Sequence, residues 1–302
     1  MEFRQREDNI ILEKRASAVL YLFISSQVRG TYLLPVNICP IVYDVFLTTG
    51  NQVEFIDIDK KNYCIDSENL LRTLETKEYR GVLLNHTYGV DIDLSEVIST
   101  LKSAYNKLII IEDKCLCFPN LEINDSVDLT IYSTGYAKNI ELSYGGGYGI
   151  VKDNWLIEYD FQKIKKGSCK NTKFDVGFFD IDKERYFSDI DIYRESAVFH
   201  KKKLNDIYNY YLNQFTLGNV YNNWRYNILC RNKELLLKKI FSQDLFASSH
   251  YRLLGGEMSM YNNAYNLYNS IINLFNDKYF SEKQAEDISK LILNYIEPGD
   301  YF

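Results

Sequence analysis

Along the first half of the chain, apolar residues follow two alternating rhythms. Val82, Leu83 and Leu84 are consecutive, as are Leu108, Ile109, Ile110 and Ile111. A run with no polar face belongs to a strand buried on both sides, as in a parallel sheet with helices above and below. Apolar stretches at 32–35, 53–58, 129–133 and from 149 onward predict further strands, the first ended by Pro35. Between them, residues 11–26, 41–49, 67–75 and 94–106 carry apolar side chains at helical spacing. Gly50 stands where a left-handed residue would close the second helix. This alternation predicts an α/β fold with a mostly parallel, doubly wound sheet.

The rhythm then changes. Residues from about 184 to 216 are polar, tyrosine-rich and helical in period. Strands are predicted at 226–230 and 247–251, and helices at 233–241 and 281–295. This is the pattern of a smaller α+β unit. It suggests a large domain over 1–175 and a small C-terminal domain with a connecting helix over 176–302. The boundary falls in the Gly- and Lys-rich stretch between Lys152 and Gly177.

Composition narrows the function. The 302 residues are 46% hydrophobic and 25% charged, which excludes a disordered or collagenous chain. Lys and Arg number 35 against 41 Asp and Glu, and the net charge of −6 argues against a nucleic-acid partner. A local pocket of opposite sign still admits an anionic substrate. No apolar run approaches the ~20 residues of a membrane span, and the charged start MEFRQREDNI leads into no signal-peptide core. The six cysteines (39, 64, 115, 117, 169 and 230) are scattered, and the Cys115-Leu116-Cys117 spacing fits neither a redox nor a zinc motif. With only three histidines, no metal site is expected. The expectation is a reduced, cytoplasmic protein.

In open parallel sheets, ligands bind at the carboxyl ends of the strands. Asn85, His86, Thr87, Tyr88 and Gly89 follow one apolar strand, and Glu112 and Asp113 follow another. Ser133, Thr134, Gly135, Tyr136, Ala137 and Lys138 follow a third, with Gly145, Gly146 and Gly147 beyond them. A buried Lys beside a hydroxyl and facing a strand-end Asp suits Schiff-base chemistry, because burial lowers the amine's pKa and frees its lone pair. On spacing alone, Asp113 can also be read as a helix cap and Lys138 as a surface lysine.

These segments resemble, in order, those of the DegT/DnrJ/EryC1/StrS sugar aminotransferase family. Residues 33–40, LLPVNICP, resemble its "LPAYTCP" turn, and residues 50–59, GNQVEFIDID, its "GA.PVFVDID" block. Residues 85–89 resemble "H.YG", and Ile110-Ile111-Glu112-Asp113 resembles "IIEDAA". Residues 133–139, STGYAKN, with the glycine triplet after them, resemble "SFG..K.l..GEGG". The resemblance implies fold type I and the cofactor pyridoxal 5′-phosphate. It implies that Lys138 bonds the cofactor and then moves protons, that Asp113 pairs with the pyridine nitrogen, and that Ser133 binds the phosphate. Ala16 and Ser17, opening the first helix, would offer N–H groups to that phosphate, as a helix N-terminus suits an anion. Cys39, His86 and Tyr88 would line the cleft near the ring, and His250 and Tyr251 would meet the substrate. The implied reaction moves an amino group, often from glutamate, to a keto-sugar, typically nucleotide-linked, in surface polysaccharide or related sugar biosynthesis. The implied assembly is a homodimer.

Some positions depart from the family pattern. Leu116 stands where the family has Gln or His, Cys39 where an aromatic stacks on the ring, and Arg15 where a small Gly is usual. VGFFDID at 176–182 lies in the place of "GYNYR". Three other readings follow: a dehydratase, against which the retained Lys138 argues; a transaminase for another carbonyl; and a degenerate member acting as a binding or scaffold protein.

Overall fold

The structure, a computed structural model, describes residues 9–152, 173–177, 180–255 and 260–296. Its larger sheet holds seven strands: β1 (Ile10–Glu13), β2 (Thr31–Pro35), β3 (Gln52–Ile56), β4 (Gly81–Asn85), β5 (Ile109–Asp113), β6 (Leu129–Ser133) and β7 (Gly147–Val151). Their order is β1-β7-β6-β5-β4-β2-β3. Neighbours from β6 to β3 run parallel, and β7 is antiparallel to both β6 and β1.

The continuous apolar strands behave as their pattern requires. Leu34, Leu83, Ile109 and Ile111 pack on one face against α1 (Ala16–Ser25) and α2 (Pro40–Thr48). Their chain neighbours Leu33, Val82, Leu84 and Ile110 pack on the other face, with residues of α3 (Ser67–Leu74) and α4 (Ser95–Ala104). A strand's side chains alternate between faces, so each run fills two cores at once. The predicted α/β fold with a doubly wound, mostly parallel sheet is therefore found.

A long helix, α5 (Lys183–Leu212), leads to a three-stranded antiparallel sheet in the order β8 (Tyr226–Leu229), β10 (Ile271–Leu274), β9 (Ala247–Ser248). Helices α6 (Lys233–Phe241), α7 (Asn262–Ser270) and α8 (Glu282–Tyr295) complete this unit. Of the predicted boundary stretch, residues 153–172 lie outside the described residues, as does Cys169.

Three expectations are corrected. The helix predicted over 11–26 begins only at Ala16, because Ile10, Ile11 and Leu12 are buried in an edge strand paired with β7. The strand predicted over 247–251 stops at Ser248, where its pairing with β10 ends. The strand predicted from 149 begins at Gly147, which pairs with Ser133. The sequence pattern also missed α7 and β10, whose buried positions include Ser270 and Asn273.

Candidate active site

The strand ends converge as the topology requires. Asn85 is in register with Asp113, and Asp113 with Ile131, so the residues after β4, β5 and β6 open along one sheet edge. A cavity of about 780 Å³ lies there, lined by Asp113, Ser133, Lys138, Cys39, Ala16 and Ser17 among others. Six of the ten residues singled out from sequence thus share one cleft.

Each is placed by local structure. Asp113 closes β5, and its Oδ1 accepts the Cys115 N–H at 2.9 Å. Ser133 closes β6 and is 7% exposed. Lys138 sits on a turn whose preceding residue, Ala137, is left-handed at φ 56°. The Ala137 N–H donates to Glu141 Oε2 at 2.7 Å, and the Ala137 carbonyl accepts from Trp224 Nε1 at 2.7 Å. Asn139 Nδ2 donates to the Leu116 carbonyl at 2.7 Å, which ties this turn to the segment after β5. Cys115, packed among Cys39, Asp113 and Lys138, has its thiol pushed well up by burial.

The first turn of α1 faces the same cleft, and among the described residues no side chain caps it. A helix start left uncapped presents free N–H groups and the positive end of the helix dipole. The glycine triplet makes the approach possible. A Cβ on Gly147 would lie 2.1 Å from the Ala16 nitrogen, and Gly146 has φ +127°. Thr134, buried beneath, donates to the Gly145 carbonyl at 3.2 Å and bonds the Tyr186 hydroxyl at 2.7 Å. Arg15 turns its guanidinium to Asp175 at 2.5 Å.

The other four residues are placed differently. His86 is 2% exposed, with Nε2 2.7 Å from Glu112 Oε1 and Nδ1 2.9 Å from the Val90 carbonyl oxygen. Burial acts to raise the Glu112 carboxyl, but His86 and Lys114 beside it hold it below the usual range. Tyr88 is fully buried and lies parallel to Trp224, with ring centroids 6.4 Å apart. Neither His86 nor Tyr88 lines the cleft. His250 bonds the Asn37 carbonyl at 2.5 Å and meets Tyr88 edge-on, and burial drops its pKa to about 4. Tyr251 sits against Cys39 at the cleft margin, 40% exposed, its hydroxyl pushed up by burial and then by the Cys39 thiol. Sequence reasoning missed Glu141 and Trp224; the indole N–H of Trp224 reaches the Lys138 turn from 87 residues away.

Residues 42–172 match the DegT/DnrJ/EryC1/StrS aminotransferase family. That stretch holds Asp113, Ser133 and Lys138. No curated protein matches the chain in sequence. Among solved structures, a family aminotransferase from Brucella abortus superposes with a TM-score of 0.74 at 16% identity, over 95% of this chain and 85% of its own. PseC from Helicobacter pylori, an aminotransferase of pseudoaminic acid biosynthesis, gives 0.73 at 16% identity over 94% and 86%. NtdA from Bacillus subtilis, with bound pyridoxamine phosphate (PMP), gives 0.71 at 16% identity over 94% and 73%. The fold is that of the family's fold-type I enzymes.

The residues present fit the family's cofactor. An uncapped helix start and a buried serine suit its phosphate, an amine lies in the same cleft, and a strand-end carboxylate suits the ring nitrogen.

Proposed function

We propose that this chain is a pyridoxal-phosphate-dependent aminotransferase that moves an amino group, with glutamate as donor, onto a keto-sugar, typically nucleotide-linked. The observation that carries the reading is the meeting of Lys138, Asp113, Ser133 and the uncapped start of α1 in one cleft. When bound, pyridoxal phosphate supplies an electrophilic carbon and an electron-poor ring that stabilises negative charge on the adjoining carbon. The remaining work belongs to the protein. The Ser133 hydroxyl and the Ala16 and Ser17 N–H groups hold the phosphate. Asp113, its Oδ1 steadied by Cys115, keeps the ring nitrogen protonated. Lys138 Nζ would bond the cofactor and would serve as the base and acid that moves a proton at the donor's α-carbon. Cys39 gives the ring a small apolar neighbour, and Tyr251 beside it faces the entering substrate from the C-terminal unit. We further propose a cytoplasmic homodimer serving surface polysaccharide or related sugar biosynthesis.

The test is spectroscopic. Purified protein with added pyridoxal phosphate develops a visible absorbance band, and borohydride reduction followed by peptide mass mapping places the cofactor on Lys138. The Lys138→Ala variant shows neither. A wild-type protein that stays colourless, or reduction that labels another lysine, ends this reading.

A further inference from the structure

The turn that carries Lys138 is held by its own segment, through the Lys138 N–H to the Gly135 carbonyl and Asn139 to that of Leu116, and also from the C-terminal unit. Ala137 occupies a left-handed conformation that a non-glycine residue adopts only under constraint. Both of its backbone polar groups are taken by side chains. Its N–H goes to Glu141 Oε2 at 2.7 Å, and its carbonyl accepts the Trp224 indole N–H at 2.7 Å. Trp224 is itself fixed on three sides. Its ring lies parallel to Tyr88, the Arg225 guanidinium sits 4.5 Å from its centre, and its own carbonyl accepts from Lys201 Nζ at 2.8 Å. Lys201 is 5% exposed and donates also to Asn276 at 2.9 Å, so the partner of that carbonyl is itself anchored in the core. Glu141 is likewise gripped from the far unit, by Lys278 at 3.4 Å and by the Tyr279 hydroxyl.

We propose that Trp224 is a positioning residue for Lys138: its indole N–H, acting on the Ala137 carbonyl, holds the left-handed turn that delivers the Lys138 amine to the cleft. The inference rests on Lys138 being the reactive amine. It follows that the C-terminal unit sets the placement of that amine directly, through a hydrogen bond to the neighbouring residue. A tryptophan suits the task because one side chain combines a rigid ring, packed on Tyr88, with a single donor at its rim.

Trp224→Phe keeps the ring and removes the donor. Amide hydrogen exchange over residues 135–141 is expected to rise about tenfold, while exchange over α8 stays unchanged. In protein loaded with pyridoxal phosphate, the pH midpoint of the bound cofactor's absorbance change should shift. The single-turnover rate with saturating L-glutamate should fall about 10- to 100-fold, with less than about a twofold change in the half-saturating concentration. Glu141→Ala releases the same turn from its other side and should reproduce the exchange and midpoint changes, which keeps the test open if Trp224→Phe does not fold. Unchanged exchange over 135–141 together with an unchanged midpoint in a folded Trp224→Phe protein overturns the proposal. If the wild type binds no cofactor, the aminotransferase reading fails, and the exchange measurement alone decides whether Trp224 holds the turn.

Discussion

Asp113 and Ser133 were legible as strand-end residues because they close apolar strands, and Lys138 because it follows Ser133 on a short turn; chain connectivity puts them at the strand ends, while the family resemblance singled them out. His86 obeyed the same rule and went elsewhere. Its ring found Glu112 at 2.7 Å in the interior and the Val90 carbonyl on its other nitrogen, and a buried imidazole so bonded has no free nitrogen for a ligand. His250 lies far along the chain, yet its Nε2–H donates to the Asn37 carbonyl beside the cleft. Burial holds this imidazole neutral in the folded protein down to about pH 4, against an ordinary 6.5. Between those values the unfolded chain binds the extra proton and the folded one does not. Stability from this group is complete above pH 6.5 and declines as the pH falls toward 4, by at most about 3 kcal/mol. Urea unfolding at pH 7.5 and pH 4.5 should show a smaller loss in His250→Gln than in the wild type. Equal losses would place the acid sensitivity elsewhere.

At the scale of elements, the glycine triplet joins the fold to the site. Gly147 begins β7, pairs with Ser133, and lets the first residue of α1 settle against it. A methyl group there meets the Ala16 nitrogen and carbon skeleton, all backbone with no flexible end to move aside. Gly147→Ala is therefore expected to cost about 2 kcal/mol or more of stability. It should also weaken pyridoxal-phosphate binding more than a substitution of equal thermal cost placed in α8. Melting temperature and absorbance titration, compared across the two variants, measure this. The misread start of α1 has the same root. Ile10, Ile11 and Leu12 fit either a helical stripe or a buried strand, and short apolar runs do not distinguish the two. The edge of β7 decided it, because its backbone groups needed a partner and residues 10–13 pair with it.

Across the whole molecule, the two sheets are bound by polar contacts between segments remote in sequence. Asp57, just beyond β3, accepts the N–H groups of Asn263 and Ala264 at 3.0 Å each, so the carboxylate of one unit caps α7 of the other. Tyr221 donates to the Lys61 carbonyl at 2.9 Å, and Asn223 to that of Gly89 at 3.1 Å. Val36, Ile58 and Tyr88 pack with Leu253, Leu267 and Ile271 in a core common to both. Asp57→Ala should cost about 1 to 2 kcal/mol, as loss of a helix cap does. If the units unfold together, near-UV and far-UV signals shift by the same amount in denaturant; separate shifts would show that this contact does not couple them.

The sequence by itself determined the α/β class, the doubly wound sheet and the strand-end position of Lys138, Asp113 and Ser133. These depend on local periodicity and on the short reach of a chain leaving a strand, both written in consecutive residues. Only the tertiary structure decided that His86 and Tyr88 turn inward, that α1 starts at Ala16, and that Trp224 grips the Lys138 turn. Each of those outcomes is a competition for hydrogen-bond partners and packing space among residues tens of positions apart. The winner depends on which groups the fold brings within about 3 Å, and the order of residues along the chain does not record that distance.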